Sequence, residues 1–364
     1  MGTELSDREL RLLRMRSQGL LPGSGAGSVA GATSTAFCIQ AQDVAAASLA
    51  IRARTEGLTA AGVARQGRGK AVCRAWLMRN TIHLFRERDL AWMRPLLAER
   101  PRAPALRRLQ QLGVGAARVD RALEALREQL AAAPLSRKEA IELIKAQGVK
   151  PSDGNNAIYW VIHLAALEGV LVVRPALDRV QVFEPAPEPE PLDRDEGLGR
   201  LARRYLEANA PAGPRDLAYW AKITLGDARR GFEAAGRLTE VATSAGTLSA
   251  LPRTLKPLPS RVRSVRLLGL WDNFLLGHED RELIVPKPAT GWVRPGGGLL
   301  KPTAFADGRA FGVWRIERER ESLRIALEPI DALPRGVRPG LEEEVNDLGR
   351  FFEAEASLRV LAGS

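Results

Sequence analysis

One order of elements, helices followed by a β-hairpin, recurs three times along this chain of 364 residues and limits the folds open to it. In the first repeat, apolar residues at helical spacing predict helices over residues 6–18 and 44–54. The alternating stretch AVCRAWLMRNTIHLF then predicts a hairpin that turns at Arg79 and Asn80. Helices that lead into a hairpin are typical of a winged helix, so the chain is predicted to contain three such units in tandem.

The second and third repeats follow the same order. Their predicted elements are a helix over residues 155–167 with strands near 170–173 and 180–183, then helices over 198–208, 214–221 and 226–235 with a hairpin turn at 244–246. The acidic, proline-rich segment 184–196 separates the two repeats. Such a composition cannot form a core, so we predict a linker or a domain boundary there.

The last hundred residues have a different character. From about residue 260, short β-type runs alternate with Gly, Pro and Asp-Gly turns, which predicts a small antiparallel barrel or sheet closed by a final helix over 340–358. The predicted fold class is therefore α+β, with three winged-helix motifs followed by a small β-barrel-like C-terminal region. The predicted domains are residues 1–115, 116–186, 187–258 and 259–364.

Charge and composition indicate the class of partner. The formal net charge of +11 and the pI of about 10.3 favour a polyanion, either nucleic acid or an anionic membrane surface. No apolar run is long enough to span a membrane and the first residues do not resemble a signal peptide, so we expect a cytoplasmic protein. Two cysteines outside any C-x-x-C motif and three scattered histidines predict neither a disulfide framework nor a metal site, and no cofactor is expected.

Two glycine-rich stretches resemble nucleotide-binding motifs only weakly. GAGSVA at residues 25–30 matches the dinucleotide fingerprint, but a charged helix precedes it where a buried strand is needed. GRGK at residues 67–70 lacks both the first glycine and the final Ser or Thr of a phosphate-binding loop. We interpret the first stretch as a linker into a helix, and neither stretch supports ATP chemistry.

The stretch IQAQD places two glutamines, Gln40 and Gln42, immediately before Asp43, a good N-cap for the helix that follows. Two interpretations fit. The glutamines could be polar turn residues that satisfy backbone groups. Alternatively, they could be paired amides that place a water and stabilise positive charge without bringing a net charge of their own.

Four separated motifs, RAWLMRNTIHLF, IQAQD, LLGLWDNFLLGHEDR and ADGRAFGVWRIE, together resemble the winged-helix family that contains the AlkZ and YcaQ DNA glycosylases. The resemblance covers almost the whole chain. In that family a glutamine–apolar–glutamine motif is the catalytic signature of the AlkZ type, whereas YcaQ relatives carry Asp at the second position. Gln40, Ala41 and Gln42 make this sequence more similar to the AlkZ type.

The resemblance implies a C-shaped tandem winged-helix enzyme that removes cationic N7-alkylpurines from double-stranded DNA and unhooks interstrand crosslinks. It implies Gln40 and Gln42 as the catalytic residues. Family members of this type can protect an antibiotic producer from its own DNA-alkylating product, such as azinomycin. A second hypothesis stays open, because family members with the same motifs are often described only as DNA-binding proteins and the fold alone does not imply activity. On that hypothesis the chain is a non-enzymatic winged-helix protein, either a transcription regulator or a lesion-binding shield. No heptad or dimerisation helix is apparent, so we expect a monomer.

Other residues are candidates for binding DNA or lining the active cleft. On the hairpin, Arg79 and His83 could contact DNA, although a lone histidine on a strand is as often structural. The segment TGWVRPGGGLLKPTAF is a loop that can approach a phosphate backbone, and its candidate contacts are Trp292, Arg294 and Lys301. Within the WDN motif, Asp272 and Asn273 could line the cleft, and a structural turn role is equally consistent with the sequence.

Overall fold

The computed structural model describes residues 3–150, 156–244, 246–258 and 263–361. Its first unit begins where a capping box between Ser6 and Glu9 starts the first helix. At its hairpin, Arg79 and Asn80 both adopt left-handed backbone angles, with φ of 55° and 54°, and the Thr81 amide donates to the Met78 carbonyl. These are the angles of a type I′ turn, so the predicted hairpin turn is confirmed. The elements are β1 (Thr3–Glu4), α1 (Asp7–Ser17), α2 (Val29–Ala36), β2 (Ile39–Gln40), α3 (Val44–Arg52), α4 (Ala60–Gly67), β3 (Val72–Trp76) and β4 (Ile82–Arg86).

The second unit shares a sheet with the first. Strands of both hairpins join in a six-stranded sheet of order β2-β4-β3-β6-β7-β5, through the pairing of Arg74 with Val173. The Arg174 guanidinium fixes this junction because it donates to the Val72 carbonyl at 2.6 Å and pairs with Glu87 and Glu184. The elements are α5 (Glu87–Leu97), α6 (Glu99–Gln111), α7 (Ala116–Ala132), β5 (Leu135–Ser136), α8 (Arg137–Ala146), α9 (Ala157–Leu167), β6 (Leu171–Arg174) and β7 (Val182–Pro185). The predicted start of α9 at residue 155 lies outside the described residues.

The third unit also has helices followed by a hairpin, and the N-terminal strand joins it. β1 pairs in parallel with β8 in a sheet of order β1-β8-β9, a contact that the sequence did not predict. The predicted linker 184–196 lies against the body of the protein, since the Glu190 amide donates to the Ala91 carbonyl and the Glu190 carboxylate pairs with Arg200. The elements are α10 (Arg194–Asn209), α11 (Pro214–Ala221), α12 (Leu225–Ala234), β8 (Thr239–Thr243) and β9 (Gly246–Ala250). Residue 245, in the predicted turn, is outside the described residues.

The C-terminal region is an open five-stranded sheet rather than a barrel. Its order is β10-β11-β12-β13-β14, so β10 and β14 are its two edges, and β14 runs parallel to β13. The predicted final helix ends at Phe352, not at residue 358, because Glu353 turns the chain with a left-handed φ of 54°. The elements are β10 (Val265–Leu268), α13 (Asn273–Leu276), α14 (Thr290–Val293), β11 (Thr303–Ala306), β12 (Arg309–Arg318), β13 (Ser322–Pro329), α15 (Arg338–Phe352) and β14 (Glu355–Val360).

The largest apolar core joins the units through aromatic side chains. Phe37, from the first unit, stacks on Trp220 of the third unit with ring centroids 5.1 Å apart, and it faces Trp92 at 6.3 Å. All three rings are buried, so this contact fixes the start of β2 against α11. Within the described ranges, no helix is long and apolar enough to cross a membrane.

Candidate active site

The glutamine strand, which we define as β2 together with the two residues that follow it (residues 39–42), is short and lies at an edge of the six-stranded sheet. Gln40 is in β2 itself, and Gln42 follows its end. The chain enters it through two consecutive residues with left-handed backbone angles, Phe37 (φ 49°) and Cys38 (φ 76°), after α2 ends. Non-glycine residues in this region carry backbone strain of about 1–3 kcal/mol each, and burial of the Phe37 ring offsets it here. The entry into β2 is therefore fixed by packing.

Gln40 has a buried side chain whose carbonyl oxygen has no partner. Its backbone pairs with His83 across the sheet, and its amide donates to the Asn273 Oδ1 atom at 3.3 Å on the free side of the strand. The side chain is 7% exposed, and the Oε1 atom makes no hydrogen bond to any described residue. A buried acceptor without a partner is costly, at about 1–3 kcal/mol, so this atom is the feature of the strand that stability does not explain.

Gln42 is exposed, and its carbonyl already has a structural use. Its Oε1 atom accepts a hydrogen bond from the Ile82 amide at 3.2 Å. The carbonyl of the same Ile82 accepts a hydrogen bond from the amide of the preceding residue, Ala41. The carbonyl of Gln42 therefore satisfies a backbone group, as the structural interpretation of the two glutamines predicts. The amide nitrogen of Gln42 makes no hydrogen bond within the described residues, so it is the atom of this side chain that a ligand could contact.

The WDN motif supports the glutamine strand from inside the protein. Asp272 and Asn273 are 1% and 3% exposed, so the expectation that they line a cleft is not met. Asn273 accepts from the Gln40 amide and donates through Nδ2 to the carbonyls of Ala36 and Cys38. One side chain thus ties both ends of the turn between α2 and β2.

A buried polar network holds the WDN motif in turn. The two Asp272 carboxylate oxygens each accept from Arg54 at 2.8 Å, and both side chains are fully buried. Arg54 also donates to Gln18, whose own amide reaches Asn209 at 2.9 Å and the Asn273 carbonyl at 3.3 Å. The network connects the first unit, α10 and the C-terminal region directly behind the candidate site.

His83 lies beneath the strand with both ring nitrogens engaged. A guanidinium can only donate, so the 2.9 Å contact from Arg79 makes the His83 Nε2 atom the acceptor, and Nδ1 donates to the Thr81 carbonyl at 3.1 Å. Burial, reinforced by Arg79, lowers the pKa of His83 to about 3. The side chain is fully buried and neutral, so its predicted direct contact with DNA gives way to a supporting position, while Arg79 is half-exposed at the hairpin tip.

The glycine-rich loop contains the three remaining candidates in different environments. Trp292 is partly buried against the C-terminal core, whereas Arg294 is exposed next to Gly296, Gly297 and Gly298, all of which have positive φ. Lys301 is half-exposed, and its amide donates to the Val293 carbonyl at 2.9 Å. The loop is anchored because the Trp271 indole donates to the Gly298 carbonyl at 2.9 Å.

Sequence reasoning missed several residues that the fold brings to this site. Lys222 and Arg281 both lie against the ring of Tyr219 in α11. Tyr219 and Arg281 are also within electrostatic range of Arg79. Gln18 and Arg54 also escaped notice. No local motif marks these residues, and only the HEDR portion of LLGLWDNFLLGHEDR pointed toward Arg281.

The glutamine strand lines neither of two large clefts in the described part of the chain. These have volumes of about 840 and 670 Å³ and are lined by other residues, the first mainly from α1, α11 and the C-terminal region. In the part of the chain that the structure describes, no group of His, Cys, Asp and Glu side chains could hold a metal ion. The geometry thus offers two uncharged amides on an edge strand, one buried and one exposed.

A family model, a curated relative and a solved structure match this chain. The model of a family described as DNA glycosylase AlkZ-like matches residues 35–351. The chain is 26% identical over 297 residues to the interstrand DNA cross-link repair glycosylase of Streptomyces sahachiroi, a match that covers 76% of this chain and 79% of that protein. The structure of Streptomyces sahachiroi DNA glycosylase AlkZ matches with a TM-score of 0.82 and 23% identity, over 99% of this chain and 100% of that one, which shows a shared fold.

Proposed function

Because this chain belongs to the family of AlkZ-like DNA glycosylases, we propose that it hydrolyses the N-glycosidic bond of cationic N7-alkylpurines in double-stranded DNA. We further propose that it unhooks interstrand crosslinks, a proposal supported by its similarity to the interstrand DNA cross-link repair glycosylase of Streptomyces sahachiroi. The observation that carries the proposal is the buried, unpartnered carbonyl of Gln40 beside the exposed amide of Gln42.

The chemistry of the lesion explains why uncharged residues suffice. An N7-alkylpurine has a formal positive charge, so the base leaves as a neutral molecule and needs no strong acid. What remains for the enzyme is to place a water on the far side of the sugar and to stabilise the oxocarbenium-like cation. A glutamine carbonyl can do both, because its dipole attracts positive charge without the permanent charge of a carboxylate.

The two glutamines have different proposed roles. The Gln40 Oε1 atom has no other partner, so it is proposed to accept a hydrogen bond from the attacking water and to face the developing positive charge. The Gln42 carbonyl is occupied by the Ile82 amide, so its exposed amide group is proposed to orient the water or the sugar. Asn273 is a positioning residue, since it holds the Gln40 backbone and touches no reacting atom.

The titratable groups next to the glutamines, His83 and Cys38, are uncharged near pH 7. The pKa of His83 lies at about 3, and burial, with Asp89 nearby, raises the pKa of the Cys38 thiol well above its usual range. Neither group gains or loses a proton near pH 7. A mechanism that relies on the charge of the lesion, not on an enzymatic acid or base, fits this environment.

The helix-helix-hairpin units determine how the protein is proposed to hold the duplex. The helix-helix-hairpin units are proposed to form a C-shaped tandem of winged helices that grips the duplex backbone on both sides of a lesion, with Arg79, Arg294 and Lys301 as backbone contacts and Trp292 flanking the loop. Such a grip would tolerate bulky adducts because the base need not enter a tight pocket. We propose that the protein acts as a monomer on DNA in the cytoplasm, for repair and for self-resistance to an alkylating natural product of the azinomycin type.

The direct test is release of free base from a duplex with one N7-methylguanine. Wild-type protein is expected to release the base and leave an intact abasic site, because amides cannot form a Schiff base. The double variant Gln40→Ala/Gln42→Ala, which still contains every basic residue, is the matched control and should bind the duplex without releasing base. Binding without release by the wild type would favour the non-enzymatic alternative, and a covalent adduct trapped by borohydride would contradict the hydrolytic mechanism.

A further inference from the structure

Three cations act on one tyrosine of α11, two of them through direct contact. The Lys222 Nζ atom lies 4.7 Å from the centroid of the Tyr219 ring, and the Arg281 Cζ atom lies 5.2 Å from it. The Arg281 guanidinium also donates to the Tyr219 hydroxyl. Arg79 is within electrostatic range of Tyr219 and Arg281. We call Arg79, Tyr219, Lys222 and Arg281 the cationic cluster.

The cationic cluster is linked to the candidate active site through one of its members, Arg79. Arg79 touches His83 at 2.9 Å, and His83 is the cross-strand neighbour of Gln40. The cluster combines the hairpin tip of the first unit, the end of α11 and the segment after α13. A ligand group bound between these elements would therefore lie next to the glutamines.

The cations of the cluster lack anionic partners. In the described part of the chain, Arg79, Lys222 and Arg281 form no ion pair, although ion pairs are numerous elsewhere in the protein. The Arg79 Nη1 atom is buried and has no hydrogen-bond partner. Acidic residues next to Arg281 are engaged elsewhere, because Glu279 pairs with Arg215 at 3.2 Å and the Asp280 carboxylate accepts the Glu282 amide. Unpaired cations held together repel one another, so the cluster favours an anion.

The sign of the charge identifies which part of the substrate fits. An N7-alkylpurine and the sugar cation that forms during its loss are both positive, so the cluster would repel them. The phosphates of the DNA backbone are negative and accept hydrogen bonds from guanidinium, ammonium and hydroxyl groups. The Tyr219 hydroxyl accepts from Arg281, which leaves its own hydrogen available to donate.

We propose that the cationic cluster binds one backbone phosphate of the lesion-bearing strand, next to the damaged nucleotide, and thereby holds its sugar against Gln40. The inference rests on the proposed function, since it assumes that the lesion lies at the glutamine strand. It assigns a substrate-positioning role to Tyr219, Lys222 and Arg281. For Arg79, it replaces a general contact with the DNA backbone by a contact with one specific phosphate.

The first experiment measures the salt dependence of binding for Lys222→Gln. Lys222 is exposed, so its substitution should leave the fold intact. The probe is a duplex with one tetrahydrofuran abasic analogue, which the enzyme cannot cleave. The slope of log K against log salt should become less steep by about 0.9, the amount expected for one lost phosphate contact. The matched control is Lys145→Gln, whose cation is already paired with Glu142 at 2.8 Å, and its slope should remain that of the wild type.

The second experiment locates the phosphate by replacing one phosphate at a time with an uncharged methylphosphonate in either strand. At one position beside the abasic analogue, in the same strand, the methylphosphonate should weaken binding by the wild type. It should not weaken binding by Lys222→Gln any further, because that variant has already lost the contact. We call this result coupling. The inference would be overturned if the affinity losses from the variant and from the methylphosphonate were additive at every position. An unchanged salt slope for Lys222→Gln would overturn it too. Coupling only to the opposite strand would overturn it as well.

A parallel assay separates this inference from the proposed function. The wild type is tested for release of N7-methylguanine in the same buffer. If base is released and the coupling is absent, the cationic cluster does not bind the phosphate and the glycosylase proposal stands. If no base is released while the coupling is present, the glycosylase proposal fails and the phosphate site stands as a DNA contact.

Discussion

Replacement of Gln40 by methionine should abolish most excision without weakening the fold. Methionine has nearly the same length as glutamine and removes only the polar atoms, so the packing of this buried position is retained. The lost carbonyl is the one that has no partner in the protein. Loss of one preorganised dipole that stabilises a transition state typically lowers the rate about 100- to 1,000-fold, equivalent to about 2.7–4 kcal/mol.

The free energy of unfolding of Gln40→Met is not expected to fall along with its activity. A buried acceptor without a partner costs about 1–3 kcal/mol, so its removal should leave the free energy of unfolding unchanged or raise it by up to about 2 kcal/mol. Gln42→Met provides the contrast, because it removes the acceptor of the Ile82 amide and should lower stability by about 0.5–1.5 kcal/mol. Only the variant at position 40 should combine lost activity with undiminished stability.

Two measurements test this pair of variants. Single-turnover release of N7-methylguanine at saturating enzyme reports the chemical step, and denaturant unfolding of the free protein reports stability. Salt-matched affinity for undamaged duplex serves as the control for DNA binding and should be the same for both variants and the wild type. A Gln40→Met protein that excises at the wild-type rate, or that unfolds more than about 1 kcal/mol more easily, would refute the assignment of its carbonyl to catalysis.

Asp272→Asn should lower the free energy of unfolding by about 3–5 kcal/mol in denaturant titrations, because it leaves Arg54 charged and buried; a change below about 1 kcal/mol would show that the pair does not hold the network. His163 is buried and its pKa is lowered to about 4 by burial, so the unfolded chain binds this proton more readily and stability falls as the pH drops from about 6.5 toward 4. Between pH 7 and pH 4.5, His163→Phe should therefore lose about 2–3 kcal/mol less stability than the wild type, and equal losses would refute this. In a panel of single-lesion duplexes, N7-methylguanine and bulkier N7-alkylguanines should be excised and uracil and 8-oxoguanine should not; comparable release of the uncharged lesions would mean that another residue supplies an acid.

Local sequence signals predicted the elements that depend on local chemistry. The turn at Arg79 and Asn80 formed as predicted because two residues with left-handed angles match the twist of a hairpin, and Asp43 caps α3 through the Ala46 amide as predicted. The final strand was missed because the stretch EAEASLRV consists largely of good helix formers. Its exposed and half-buried residues alternate with the period of a strand, and pairing with β13 decided its conformation.

The support of the candidate site could not be predicted in the same way. Gln40 and Gln42 stand out because two polar residues precede a capped helix, but Asn273 meets Gln40 only in the folded chain. The same holds for Tyr219 and Arg281, which come from different regions. No local period or propensity encodes such contacts, so the sequence pointed to the candidate catalytic residues but not to the residues that hold them in place.

The bond between the Gln40 amide and Asn273 spans 233 positions of the chain. While the protein is being synthesised, the hairpin tip with Arg79 is complete long before Asn273 has left the ribosome. A chain that ends before Asn273 lacks this bond, so its glutamine strand would not be anchored there. Under the proposed function, excision would then depend on the part of the chain that carries Asn273, and the creation of abasic sites would be tied to its synthesis.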